Sequence, residues 1–190
     1  MLFDVKLDVF GVQKALQNQV KDISAYAQNY KNVGVGRDDG NFKDEHMSIF
    51  WNIDIIDMIE WGTFWLSETP DVPSFGWDAA CRRTATWAMM MDKRNDKIFY
   101  FVNTHLDHEG GEAKSNGLKL IVDKMSEINN EDYPMILTGD FNTKPTNERL
   151  NVLKGKMENT RDIAKSTENQ GTTNAFGTID PYIIDGFLLT

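Results

Sequence analysis

The chain contains two apolar segments that each run directly into a group of polar residues. Residues 97–104 are typical of a β-strand and lead into ThrHisLeuAspHis at 104–108, while residues 134–139 are typical of a short buried strand and lead into Asp140. Between them, residues 111–129 place apolar side chains at helical spacing. The end of a strand is where a rigid sheet can present polar groups to a cleft. The pattern therefore predicts a mixed domain with polar residues at a cleft.

The other segments predict one further helix and a set of paired strands. A helix is expected over 12–30, and a loop over 67–78, where Pro70, Pro73 and Gly76 break regular structure. Strands are predicted at 33–35, 46–52, 55–65, 83–92 and 182–190, and a polar helix-and-loop region at 145–175. No repeat or linker divides the chain. We therefore expect a single α+β domain over 1–190, with β-sheets packed on one another.

Composition limits the class of protein and its partners. Hydrophobic residues make up 41% of the 190 residues, with five Trp and eleven Phe, which indicates an ordered core. The net charge of −9 argues against long nucleic acids and favours small ligands. One cysteine excludes an internal disulfide, and no apolar run is long enough to span a membrane. The N-terminus lacks the features of a signal peptide, although a precursor could carry one; compartment and oligomeric state stay open.

The polar groups after the two strands contain the candidate functional residues. His105 and His108 flank Asp107, and these are two of only three histidines in the chain; the alternative is a surface loop with solvated histidines. Asp140 and Asn142 lie two residues apart, so they share a face of an extended segment and offer the oxygen ligands that Mg²⁺ prefers. The alternative for this pair is an Asx turn that closes the strand.

Together, these two segments resemble the endonuclease/exonuclease/phosphatase superfamily, a group of DNase I-like phosphoesterases. Four further segments, in the same order as in the family, extend the resemblance over almost the whole chain. The third of them, a pair of stretches at 65–70 and 76–87, resembles the small bacterial branch of the family. The four segments are AspValPheGlyValGlnLysAla at 8–15, AspGluHisMetSerIlePhe at 44–50, the pair TrpLeuSerGluThrPro at 65–70 and GlyTrpAspAlaAlaCysArgArgThrAlaThrTrp at 76–87, and IleIleAspGlyPheLeuLeu at 183–189. The resemblance implies a four-layer α/β sandwich, in which two mixed β-sheets are flanked by helices.

The resemblance also implies a role for each matching residue. His105 would hydrogen-bond a phosphate oxygen, Asp140 would orient and deprotonate the attacking water, and Asn142 would hold the phosphate or the metal shell. Asp185 would support the site from the last strand. Arg83 and Asp107 are the expected substrate-binding and orienting residues, with a surface salt bridge as the alternative for Arg83. The implied cofactor is Mg²⁺ or Mn²⁺, with Asp140, Asn142 and, more weakly, Glu45 as ligands.

Three departures from the family pattern qualify the expected activity. Lys14 occupies the position of the family's metal-binding Glu, and an ammonium cannot coordinate Mg²⁺. The family's first strand and its final Ser-Asp-His are also expected to be missing. We therefore predict weak or absent Mg²⁺-dependent hydrolysis of a small phosphorylated substrate. The alternatives are a non-catalytic protein that binds a phosphorylated ligand through Lys14 and Arg83, and a fragment without a stable fold.

Overall fold

The structure is a computed structural model that describes residues 6–167, 171–172, 183 and 185–190; at 187–189 it describes the backbone. Two β-sheets and two main helices form the described part of the chain. The elements are β1 (Val9–Gly11), α1 (Gln17–Tyr26), β2 (Tyr30–Val33), β3 (Ile49–Asn52), β4 (Ile56–Trp65), β5 (Thr84–Asp92), β6 (Lys97–His105), α2 (Gly111–Ile128), β7 (Met135–Asp140), a 3-10 helix (Glu148–Leu153), β8 (Glu158–Asn159), α3 (Thr160–Ile163) and β9 (Asp185–Leu189).

The strands are divided between a small and a large sheet. The small sheet has the order β1-β3-β2 and is antiparallel throughout. The large sheet has the order β4-β5-β6-β7-β9-β8, and β6 and β7 are parallel while the other neighbours are antiparallel. A parallel pair needs a long crossover connection, and α2 provides it.

The side chains form three apolar layers that define a four-layer sandwich. Between the sheets, Ile49 and Trp51 pack with Met90 and Phe101. On the outer face of the small sheet, Phe50 packs against α1, because successive residues of a strand face opposite sides. On the outer face of the large sheet, four buried residues of α2 pack on the strands, namely Leu118, Ile121, Val122 and Met125. Burial of each such side chain contributes about 1.5–3 kcal/mol. The predicted four-layer α+β fold is confirmed.

Several predicted boundaries shift, most clearly at the first helix. It was expected over 12–30, yet it begins at Gln17 and ends at Tyr26. Lys14 has φ 60°, which no helix allows, and the carbonyl of Ala15 accepts a hydrogen bond from the His46 amide at 2.8 Å. The strand expected at 33–35 lies at Tyr30–Val33 instead. The helix at 111–129, the strands at 83–92 and 97–104, and the loop at 67–78 are confirmed to within a residue or so.

The C-terminal third departs further from the prediction. The predicted helix-and-loop region at 145–175 contains a short 3-10 helix, one turn of α-helix and the two-residue β8. Residues 168–170 and 173–175 of that region lie outside the described residues. The final strand, expected over 182–190, covers Asp185–Leu189. None of the described helices is both long and apolar enough to cross a membrane.

Candidate functional site

The parallel strands β6 and β7 bring the two polar segments together. His105 and Asp140 are paired residues at the ends of these neighbouring strands, and both side chains are buried. His105 Nε2 lies 3.5 Å from Asp140 Oδ2. The chain reverses at Asn142, with φ 45°, so that the Asn142 side chain folds back to within 3.0 Å of the same imidazole nitrogen. Three of the predicted catalytic residues therefore meet at one point.

Asn142 also forms the turn that was the alternative interpretation of this segment. Its backbone N–H donates to Asp140 Oδ1 at 3.0 Å, which is the hydrogen bond of an Asx turn. Its side-chain Nδ2 donates to the Leu106 carbonyl at 2.9 Å as well as facing His105. The turn and the site are the same feature, because the turn aims the carboxamide at the imidazole.

Lys14 lies on the other side of Asp140. Its Nζ is 2.8 Å from Asp140 Oδ2, while about half of the Lys14 side chain, 54%, stays exposed. The residues on either side of Lys14 are fixed: Gln13 Nε2 donates to Asn103 Oδ1 at 2.6 Å, and the Ala15 carbonyl accepts from His46. The ammonium is thus placed at Asp140 by the fold.

The described residues do not fit a Mg²⁺ site. They contain no group of three or more His, Cys, Asp or Glu side chains placed to hold a metal ion. Asp140 faces the Lys14 ammonium, and Glu45, the weaker predicted ligand, faces a guanidinium instead: its Oε2 is 2.7 Å from Arg37 Nη1. The two predicted carboxylate ligands are therefore each paired with a protein cation, and the ligand set of Asp140, Asn142 and Glu45 stays a prediction.

His105 has a donor and a carboxylate at each ring nitrogen. Nδ1 lies 2.9 Å from Arg83 Nη1 and 3.7 Å from Glu45 Oε2, while Nε2 faces Asn142 and Asp140. A proton on Nδ1 points to Glu45 and leaves Nε2 to accept from Asn142; a proton on Nε2 points to Asp140 and leaves Nδ1 to accept from Arg83. Either neutral tautomer has partners on both sides.

Burial and neighbouring charges keep this imidazole neutral. Burial lowers the pKa of His105, and the cations Arg83 and Lys14 lower it further, against the raising effects of Glu45 and Asp140. The pKa of Glu45 is lowered chiefly by the neighbouring His105 imidazole, 3.7 Å away, and by the charge of Arg37, against the raising effect of burial. A neutral imidazole can both donate and accept a proton, as acid–base chemistry requires.

Arg83 is a buried residue, so the surface salt bridge weighed as its alternative is wrong. Its side chain is 5% exposed, and each of its three nitrogens has a partner: Nε contacts Asp107 at 3.2 Å, Nη1 contacts His105, and Nη2 contacts His108 Nδ1 at 3.0 Å. The predicted phosphate contact through Arg83 would need one of these contacts to open, and it stays a prediction.

Asp107 holds Arg83 and the start of α2. Its fully buried carboxylate accepts from the backbone N–H groups of Glu109, Gly110 and Cys81. Burial alone would raise the pKa of Asp107, but backbone N–H donors and Arg83 outweigh it and hold that pKa well below its ordinary value. The carboxylate has no free surface, which fits the orienting role of the prediction better than direct substrate contact.

Asp185 sits beside Asp140 on the next strand. The two residues are paired in the register of β7 and β9. Burial raises the pKa of Asp185, and so does the charge of Asp140, while a hydrogen bond with Thr172 and the charge of Lys14 lower it. Asp185 is thus placed next to the base predicted for the site, and its catalytic role stays a prediction.

A buried polar network behind the site was not predicted. Asn103 is fully buried, and its Nδ2 donates to the carbonyls of Val12 and Ser48, which belong to the segments around the small sheet. Its Oδ1 accepts from Gln13 and from Thr138 Oγ1. An Asn inside an apolar strand was the available signal, since a buried amide must find partners. The network ties the two sheets together one residue from Lys14.

Solved structures place this arrangement in a family. The endonuclease/exonuclease/phosphatase of Bacteroides vulgatus is 38% identical, with a TM-score of 0.94, over 100% of this chain and 75% of that chain. The mannosyl-6-phosphatase of Bacteroides thetaiotaomicron is 36% identical, with a TM-score of 0.95, over 100% of this chain and 73% of that chain. A protein of Acanthamoeba polyphaga mimivirus is 37% identical over 84 residues, which are 42% of this chain and 30% of that protein. No family model matches.

The fold is that of the DNase I-like phosphoesterases. At this identity and coverage, the chain belongs to the endonuclease/exonuclease/phosphatase superfamily, as its motifs indicated.

Proposed function

We propose that this chain binds small phosphate esters in the cleft at the ends of β6 and β7 and hydrolyses them. The observation that carries the proposal is the meeting of His105, Asp140 and Asn142 at one point beside the Lys14 ammonium. A general base, a neutral imidazole and a cation are the groups that attack of water on a phosphate ester requires.

Each side chain has a role that its position supports. Asp140 accepts the proton of the attacking water through Oδ2, the oxygen that Lys14 and His105 both face. As the new O–P bond forms, the bond between phosphorus and the ester oxygen breaks, and the alcohol leaves with a proton from solvent. In the tautomer with its proton on Nε2, His105 donates to a non-bridging phosphate oxygen while Nδ1 accepts from Arg83 Nη1, and Asn142 Nδ2 keeps its hydrogen bond to the Leu106 carbonyl. Lys14 offsets phosphate charge, since its half-exposed side chain can reach out of the cleft while Arg83 cannot. Asp185 supports Asp140 from β9.

Two observations favour a small phosphorylated substrate: the net charge of the chain and the activity of one relative. The net charge of −9 repels long polyanions, whereas one phosphate group needs only a local cation. One relative is a mannosyl-6-phosphatase, and sugar phosphates are therefore the first substrates to test.

Mg²⁺ contributes little in this proposal, because the ammonium of Lys14 lies where a ligand carboxylate is required. We expect slow turnover of p-nitrophenyl phosphate that is unchanged by Mg²⁺, Mn²⁺ or EDTA. In Lys14→Glu, a carboxylate joins Asp140, and we expect Mg²⁺ to stimulate turnover about tenfold or more, which corresponds to about 1.4 kcal/mol of transition-state stabilisation. Lys14→Gln is the matched control, since it removes the ammonium without adding a metal ligand.

Three outcomes separate the candidates. Wild-type turnover at ordinary enzymatic rates with Mg²⁺ would contradict the metal assignment. Binding of inorganic phosphate by calorimetry, without turnover in any variant, would favour a non-catalytic phosphate-binding protein; the observation behind that second candidate is again the Lys14–Asp140 pair. Absence of both binding and turnover in a chain that melts cooperatively would refute both functions.

A further inference from the structure

Arg82 and Arg83 are neighbours in the chain, but their side chains have separate partners. Arg83 faces His105 and Asp107, whereas Arg82 Nη1 lies 3.2 Å from Asp38 Oδ1, and its guanidinium carbon lies 4.6 Å from the centre of the Phe75 ring. Two short connections link the group formed by Arg82, Asp38 and Phe75 to the residues around His105: Arg82 precedes Arg83 in the chain, and Asp38 follows Arg37, which contacts Glu45 beside His105. We call this group the Phe75 wall.

Phe75 is an exposed ring in a fixed position. Its side chain is 53% exposed, while the Arg82 guanidinium lies over the ring at cation–π distance. The preceding residue is anchored, since Ser74 Oγ contacts Ser67 Oγ at 2.5 Å and donates to the Thr69 carbonyl. Arg82 lies over one face of the ring, and the exposed half of the side chain offers surface to a ligand. By contrast, the nearby aromatic side chains of Phe64 and Trp65 are buried.

Asp38 also contacts residues outside the Phe75 wall. Its carboxylate contacts Arg82 through Oδ1 and Lys43 Nζ through Oδ2 at 3.4 Å, and 21% of its side chain is exposed. The preceding residue, Arg37, holds Glu45 at 2.7 Å, and its carbonyl accepts from Trp65 Nε1. The loop that carries Asp38 is therefore fixed both to the site and to the segment before Phe75.

We propose that the Phe75 wall binds the sugar ring of a sugar phosphate whose phosphate lies at Lys14 and His105. This inference rests on the proposed function and names its substrate class. An aromatic face stacks on the C–H face of a pyranose ring, while a carboxylate and a guanidinium side by side accept from and donate to its hydroxyl groups. A phosphate ester without a sugar ring has no group that could stack on Phe75.

The test measures binding of glucose 6-phosphate, mannose 6-phosphate, glycerol 3-phosphate and inorganic phosphate by calorimetry. In Phe75→Ala, we expect affinity for both sugar phosphates to fall about five- to tenfold, as loss of one stacking contact implies, while the two ringless probes bind as before. Phe42→Ala is the matched control: Phe42 is 68% exposed on the loop of Asp38, and it has no ring contact or cation–π contact among the described residues.

Saturation-transfer NMR supplies an independent measurement. Sugar C–H protons should show strong transfer in the wild type and in Phe42→Ala, and weak transfer in Phe75→Ala. Equal losses for ringed and ringless probes, or no change in Phe75→Ala while phosphate still binds, would overturn the wall and leave the proposed function standing. Failure of the wild type to bind any phosphate probe would overturn both.

Discussion

Asp107→Asn should destabilise the fold strongly, although the side chain keeps its size. The wild-type carboxylate is fully buried, and its Oδ2 faces two donors, Arg83 Nε at 3.2 Å and the Cys81 amide at 3.3 Å. In the variant, one oxygen can still accept from the amides of Glu109 and Gly110, so the new NH₂ group must face those two donors. Arg83, itself 5% exposed, loses the only ion pair it makes among the described residues.

The magnitude follows from the contacts that are lost. Two hydrogen bonds to the ionised carboxylate contribute about 3–6 kcal/mol together, and removal of one partner of a buried pair costs about 3–5 kcal/mol. We therefore expect a loss of about 3–5 kcal/mol. For a chain of this length, this corresponds to a fall in melting temperature of about 6–20 °C.

Asp78→Asn is the control for the assay. Asp78 also accepts from two amides at the start of α2, those of Glu112 and Ala113, but it is exposed and holds no buried cation. Calorimetric melting of Asp78→Asn should give a loss of about 1 kcal/mol or less. Equal losses in the two variants would show that Asp107 acts only as a helix cap, and an Asp107→Asn melting temperature within about 2 °C of wild type would refute the reasoning.

The pH dependence gives a second measurement of the same contact. The pKa of Asp107 is lower in the folded chain than its ordinary value of 3.8, so the unfolded chain takes up the proton first as pH falls. The stabilisation is complete above that ordinary value and is lost below it, as pH falls toward the depressed folded pKa. The difference between wild type and Asp107→Asn should therefore stay constant near neutral pH and narrow below about pH 4.

Two further predictions concern buried groups. Gly11→Ala should lower the free energy of unfolding by about 3 kcal/mol or more in denaturant titration, because a Cβ there would lie 2.5 Å from Asn103 Oδ1 within the network between the sheets. Gly117→Ala is the control: its Cβ would make ordinary contacts at 3.4 Å, so the change should be neutral or stabilising. Equal effects of the two substitutions would contradict this account. His46 is 2% exposed, and burial lowers its pKa below the ordinary 6.5. The stability of the wild type should therefore fall as pH drops below about 6.5, and His46→Leu should lose less stability over the same pH range in thermal melts. Parallel pH profiles of the two proteins would contradict the burial argument.

The sequence patterns were sufficient for the two packed sheets and for the proximity of His105 and Asp140, whereas the four layers followed from the family resemblance. Long strands with strong apolar alternation, and the periodic α2, fell where the patterns predicted, and His105 and Asp140 met because each follows a buried strand. Helix α1 was overextended, since apolar spacing does not report the left-handed backbone at Lys14. Arg37 was not recognised as a partner of Glu45, because ion pairs between a loop and a strand end depend on how the loop folds back.

The ion pairs of the cleft explain why the proposed function depends on Lys14. Asp140 is matched by Lys14, Asp107 by Arg83 and Glu45 by Arg37, with a neutral His105 between them. An incoming phosphate must therefore draw one cation away from its carboxylate, and only Lys14 has the exposure to move, because Arg37 and Arg83 are largely buried. If Lys14 is replaced by a carboxylate, Asp140 loses its protein cation, and the two carboxylates then favour a cation from solution. We therefore expect this one position to determine whether a phosphate group or a metal ion binds beside Asp140.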